Sequence, residues 1–207
     1  MERGAAGPTL LALTAGDPSG IGPEITVAAW RSRQRHAVPP FYLIGDPDFL
    51  RARVPDVPLA VIQPQEAAAA FAQALPLVPL RARFTGAPGR PDTANAAGIV
   101  ESIERAVADV TAGHAAALVT CPIAKKPLYD AGFAYPGHTE FLGHLAGGAC
   151  AVMMLAGPDL RAVPVTVHVA LAEVPRLLTR DDIVETATIT ARDLRDRFGI
   201  ARPRLAI

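Results

Sequence analysis

Short apolar runs alternate along this chain with longer segments whose apolar residues recur every three or four positions. That alternation constrains the fold more than any other feature, because only a strand buries a run of consecutive apolar residues and only a helix buries a stripe. Residues 9–14, 41–45, 59–62, 115–120, 150–155 and 163–169 read as strands, and residues 205–207 as the beginning of another. Helices are expected from Pro23 toward Arg33, over a turn at 47–53, over the Ala-rich stretch 65–75, from 125 to 131, from His138 onward and over 181–197. The clearest lies between Asp92 and Gly113, where Ala96, Ile99, Ile103, Ala106, Val107 and Val110 form one apolar face. Strands alternating with helices predict an α/β fold with a largely parallel sheet. In such sheets ligands gather at the carboxyl ends of the strands. Three unusual loops leave strands there, at 15–22, at 121–125 and from His168 onward.

Half of the 207 residues are hydrophobic, enough for a substantial core. The formal net charge is zero and no basic block occurs, which argues against a nucleic-acid partner. No apolar run approaches the ~18 residues of a membrane span. The early apolar stretch is too short for a signal-peptide core, so the reading is cytoplasmic. Cys121 and Cys150 make no disulfide framework and read as two buried free thiols. The prolines and glycines fall mostly at the edges of apolar segments, as punctuation of a folded chain.

Four segments could carry chemistry. Gly16-Asp17-Pro18-Ser19-Gly20-Ile21-Gly22-Pro23-Glu24 joins a strand to a helix. It is either a structural turn or an anion contact at the free amides of the helix start. Thr120-Cys121-Pro122-Ile123-Ala124-Lys125-Lys126 puts lysines beyond a buried strand, where they meet an anion or simply solvent. Tyr135-Pro136-Gly137-His138-Thr139-Glu140 presents His138 and Thr139 at a helix start, as anion ligands or as a capping turn. Val165-Thr166-Val167-His168-Val169 sets a histidine in a β-branched run, as a metal ligand or as a satisfied core imidazole. A catalytic metal takes about three protein ligands, and nothing near His168 has ligand spacing. His36, His114 and His144 receive no chemistry.

Taken together and in order, LTAGDPSGIGPEI, TCPIAKKPLYDAGFAYPGHTEFLGHLAG and MMLAGPDLRAVPVTVHVALAEVP resemble the 4-hydroxythreonine-4-phosphate dehydrogenase family of vitamin B6 synthesis. The resemblance covers nearly the whole chain. It implies three-layer α/β/α architecture similar to isocitrate and isopropylmalate dehydrogenases, with a first domain over residues 1–125 and an incomplete second over 126–207. It implies a homodimer and a small phosphorylated substrate. The implied reaction is oxidation of the C3 hydroxyl of 4-phosphooxy-L-threonine by NAD (or NADP), with loss of carbon dioxide, to 3-amino-2-oxopropyl phosphate. By position, His138 and Thr139 would bind substrate near its phosphate. His168 would ligate a divalent metal (zinc, magnesium or cobalt), Lys125 would support the site, and Asp17 lies in the opening loop without a named role. Two further metal histidines of the family, one in an Asn-Pro-His-Ala-Gly segment expected soon after Ile207, are absent. A truncated chain of reduced activity is therefore expected. The alternatives are a dehydrogenase of threonate or erythronate 4-phosphate or of a dihydrodiol, a phosphate acyltransferase, and a non-catalytic phosphate-binding remnant.

Overall fold

The computed structural model describes residues 10–207, which fall into two compact units divided between Gly148 and Ala149. Thr9, taken above as the start of the first strand, lies outside the described residues. In the first unit, β1 (Leu11–Thr14), β2 (Phe41–Gly45), β3 (Leu59–Val61), β4 (Leu75–Pro79) and β5 (Ala117–Val119) form one sheet in the order β3-β4-β2-β1-β5. Every pairing is parallel. Between the strands run α1 (Gly22–Arg31), α2 (Pro47–Arg53), α3 (Ala67–Ala70) and α4 (Ala96–Thr111), and after β5 come α5 (Lys125–Asp130) and α6 (His138–Leu145).

Alternation along the strands divides the core into two clusters. Ala12, Tyr42, Ile44 and Val78 pack with Ile99, Ile103 and Ala106 of α4. Leu13, Leu43 and Leu77 pack with Val27 and Trp30 of α1 and with Leu50 of α2. Helices thus cover both faces, and this is why β2 is buried along its whole length. One polar residue sits within the α4 stripe. Ser102 is fully buried; its Oγ accepts from the Ala15 amide at 2.9 Å and donates to the Ile44 carbonyl at 2.8 Å. It ties α4 to the carboxyl ends of β1 and β2.

The Ala-rich segment is α-helical only over Ala67–Ala70, preceded by a 3-10 turn at Pro64–Glu66. Its closing carbonyls are taken by side chains of the first helix region, Phe71 by Trp30 Nε1 and Ala72 by Arg33 Nη2. Residues 75–79 then form a strand that the sequence reading missed. Pro76 and Pro79 argue against a central strand because neither donates to a ladder. The chain accommodates them, since pairing with β2 begins only at Leu77 and Pro79 stands in its last pair.

By compactness α5 and α6 group with the first unit. Leu128 of α5 and Phe141 of α6 are buried in the α4-side cluster, with Phe133, Tyr135, Leu142 and Leu145 against it. The Phe133 ring meets Phe141 edge-on at 5.1 Å between centroids.

In the second unit, β6 (Leu155–Ala156) and β7 (Arg161–Ala162) form a two-stranded antiparallel hairpin. Then follow α7 (Val174–Leu177) and α8 (Arg180–Asp196). A reciprocal capping box starts α8: Thr179 Oγ1 accepts from the Asp182 amide and the Asp182 carboxylate accepts from the Thr179 amide. The strands expected at 150–155, 163–169 and 205–207 do not form, apart from Leu155. A strand exists only through a partner's ladder, and the hairpin is the only ladder among the described residues of this unit. No helix among the described residues is long and apolar enough to cross a membrane.

Candidate functional site

The connection from β1 leads to β2 on one side, whereas β5 lies on the other side of β1. The carboxyl ends of β1 and β5 therefore form the point where the strand order reverses, and a crevice opens there in sheets of this kind. The loops leaving these ends interlock. Cys121 N–H donates to Thr14 Oγ1 at 3.2 Å and Asp17 N–H donates to the Pro122 carbonyl at 2.9 Å. Gly16 has φ +68°, and a Cβ there would lie 2.6 Å from the Pro122 oxygen and 2.7 Å from Cys121 Cβ. Only glycine permits this approach.

Asp17 is buried. Its Oδ1 accepts from the Ser19 amide at 2.8 Å and from Ser19 Oγ at 2.6 Å. Through Oδ1 the carboxylate closes the turn that delivers Pro23 to the first turn of α1. Ser19 in turn accepts, through its carbonyl, from the Gly89 amide at 2.8 Å. The segment around Gly89 is clasped by buried Asn95, whose Oδ1 accepts from the Thr85 amide and whose Nδ2 donates to the Thr85 carbonyl. Asn95, Ser102 and Thr14 are organising residues that the sequence reading passed over. For Ser102 the signal was present, a polar residue at an apolar position of a periodic stripe.

Lys125 opens α5 and its side chain is exposed. His138 and Thr139 open α6, which has no side-chain cap, Gly137 standing at the N-cap. The first amide bonded back along the chain is that of Phe141, to the Gly137 carbonyl. The amides of His138, Thr139 and Glu140 are thus left without helical acceptors. Two charged side chains flank this helix start: a Cβ built on Gly137 would lie 3.5 Å from Glu140 Oε2 and 3.7 Å from Lys125 Nζ. Burial, and then the Lys125 ammonium, hold the His138 imidazole below its usual pKa. Free amides, a cation and a histidine around one helix start are the makings of an anion site.

His168 belongs to the second unit. It is exposed in irregular backbone with φ +58°, and not inside a strand as expected. No group of three or more His, Cys, Asp or Glu among the described residues is arranged to hold a metal. The described residues do not by themselves fit a closed metal centre. Of the two cysteines, Cys121 is buried as expected and Cys150 is exposed. Burial raises the Cys121 thiol, with Thr26 opposing, so it is a packed group and no nucleophile.

A family model described as pyridoxal phosphate biosynthetic protein PdxA matches residues 37–207. A 4-hydroxythreonine-4-phosphate dehydrogenase of Methylorubrum extorquens is 52% identical over 208 residues, covering 95% of this chain and 60% of the relative. One from Bradyrhizobium diazoefficiens is 47% identical, covering 100% of this chain and 64% of the relative. The crystal structure of a 4-hydroxythreonine-4-phosphate dehydrogenase from Burkholderia phymatum superposes with a TM-score of 0.85 at 27% identity, over 96% of this chain and 62% of that one. A terephthalate 1,2-cis-dihydrodiol dehydrogenase from Burkholderia xenovorans superposes with a TM-score of 0.65 at 28% identity, over 94% of this chain and 59% of that one. The chain spans about three fifths of the length of the curated relatives it matches.

Proposed function

Because the chain belongs to the PdxA family of pyridoxal phosphate biosynthetic proteins, we propose that it carries the phosphate-binding part of an NAD-dependent dehydrogenase acting on 4-phosphooxy-L-threonine. The observation that carries this reading is the uncapped start of α6, with the His138, Thr139 and Glu140 amides free and the Lys125 ammonium beside them. A phosphomonoester dianion suits that set: its oxygens accept the amides and the Thr139 hydroxyl, and the helix dipole adds to the attraction. The phosphate is remote from the oxidised carbon, so holding it orients the C3 hydroxyl without touching it.

The remaining chemistry belongs to the proposal. NAD (or NADP) takes a hydride from C3, and the β-keto acid so formed loses carbon dioxide to give 3-amino-2-oxopropyl phosphate. No described residue is assigned to the dinucleotide. A divalent metal (zinc, magnesium or cobalt) enters the reading through His168, one of the histidine ligands that the resemblance implies. His168 stands without companions among the described residues, so no step is drawn through a metal. Also proposed are a homodimer, layering similar to isocitrate and isopropylmalate dehydrogenases and a cytoplasmic setting.

The likeness to a dihydrodiol dehydrogenase supports a second reading, in which an unphosphorylated diol is oxidised. NADH formation from 4-phosphooxy-L-threonine, threonate 4-phosphate, erythronate 4-phosphate and a cis-dihydrodiol separates the readings. The first substrate is expected to be turned over fastest, and preference for the diol overturns the phosphate assignment.

A further inference from the structure

Two buried side-chain polar atoms among the described residues lack a hydrogen-bond partner, and one is Nε2 of His138. Of the two ring nitrogens, only Nε2 is both buried and unpartnered. A proton there would be a buried donor with no acceptor, and on a cationic ring the cost would be greater still. The ring proton therefore belongs on Nδ1, with Nε2 left as a buried, unpartnered acceptor. That arrangement is a neutral imidazole with one N–H to offer.

The charges around the ring agree. From α5, the Lys125 ammonium lies beside Gly137 and repels a second positive charge. On α6 itself, the Glu140 carboxylate also lies beside Gly137, yet the balance of burial and Lys125 still holds the ring below its ordinary pKa. Glu104 of α4 and His144 of α6 line a separate cavity with Leu128 and Phe141, and His138 is not among its lining residues. No ion pair within 4.0 Å joins Lys125 to any carboxylate among the described residues, whereas Lys126 is paired with Asp130 at 2.7 Å. Lys125 is therefore the cation left free to meet an incoming anion.

We propose that His138 serves the α6 site as a neutral Nδ1–H donor and that Lys125 supplies its standing positive charge. The inference rests on the anion-site reading above and adds a division of labour to it. The histidine gives direction, the lysine gives charge, and anion binding requires no proton uptake. Lys125 is thus a charge-supplying and positioning residue, and its loss leaves the Glu140 carboxylate at the helix start without that counter-charge.

The test begins with the free protein. NMR titration of the ring carbons and nitrogens of His138 is expected to place its midpoint below the ordinary imidazole value of about 6.5, with the Nδ1–H tautomer present at neutral pH. In Lys125→Met the midpoint rises, and in Lys125→Arg it stays low. The second arm uses inorganic sulfate, whose charge is constant between about pH 8 and pH 6, so that only the protein titrates. Sulfate affinity, read from the His138, Thr139 and Glu140 amide shifts, is expected to stay flat over that range. It should fall about ten- to a hundredfold in Lys125→Met and recover in Lys125→Arg. A His138 midpoint in the ordinary range, or affinity that climbs as pH falls, overturns the neutral-donor assignment. Unchanged affinity in Lys125→Met overturns the role of Lys125. Absence of any sulfate effect with a low, Lys125-dependent midpoint overturns the anion site and the phosphate reading together, while the pairing of Lys125 with His138 stands.

Discussion

Replacing Gly16 by alanine, with Gly113→Ala as its companion, measures how tightly the β1 and β5 loops interlock. Both glycines have left-handed backbone, φ +68° and +76°, and both lie in the first unit. An L side chain there costs about 1–2 kcal/mol. About 0.4–1 kcal/mol of that is offset by the stiffer unfolded chain. At Gly113 nothing lies within 4 Å of the added carbon, so the net cost is about 1 kcal/mol. At Gly16 the new methyl would stand 2.6 Å from a backbone oxygen and 2.7 Å from Cys121 Cβ, and neither is the end of a flexible side chain. Either the loops separate, losing the Asp17–Pro122 and Thr14–Cys121 hydrogen bonds at about 0.5–1.5 kcal/mol each, or the crowded backbone absorbs about 1–3 kcal/mol of strain. Gly16→Ala should therefore be about 1–3 kcal/mol less stable than Gly113→Ala. Urea unfolding monitored on the first unit, with m-values compared, measures the difference. Equal midpoints for the two variants would refute the close approach.

Ser102→Ala orphans the Ala15 amide in the core and should cost about 1–3 kcal/mol, read by the same unfolding experiment. Asp17→Ala should destabilise by a similar amount while Asp17→Asn, which keeps the Oδ1 acceptor, costs much less; equal losses would mean that the charge and not the turn is what matters. Burial pushes the Asp46 carboxyl up, but the amides of Phe84, Phe49 and Asp48 and the Arg83 guanidinium outweigh it, leaving the pKa below the ordinary value. A depressed carboxylate contributes stability above its unfolded pKa, about 3.9, and loses it as pH falls through the folded value. Asp46→Asn should accordingly flatten the acid limb of the stability curve, and an unchanged limb contradicts the assignment. A thiol reagent should modify Cys150 in the folded protein and Cys121 only after unfolding, because the first is exposed and the second buried.

What could be read from the sequence depended on whether an element carries its own signal. α4 and α8 did, since an apolar stripe repeated over several turns is the mark of a helix packed along one face. β1, β2 and β5 did as well, as apolar runs next to glycine-rich or polar loops. β4 did not, because Pro76 and Pro79 hide a strand whose ladder avoids their missing N–H groups. The run around His168 looked like a strand by composition, yet β-propensity expresses fit to neighbouring strands, and none flanks it among the described residues. The packing of α5 and α6 onto the first unit was equally hidden, since Leu128 and Phe141 mark themselves as apolar without naming their partners. At the candidate site the sequence reading found the helix start at His138 and the lysine before it. It left Asp17 without a role because a carboxylate in a loop reads alike whether it meets a ligand or, as here, its own Ser19.

The central claim is that the start of α6 receives the phosphate of a phosphorylated hydroxy amino acid. Amide shifts of His138, Thr139 and Glu140, followed by NMR as 4-phosphooxy-L-threonine and then unphosphorylated 4-hydroxy-L-threonine are added, test it most directly. Saturable shifts at these amides with the phosphorylated compound, and none with the other, are the predicted result. Equal responses to both compounds, or shifts that leave these amides untouched, would contradict it.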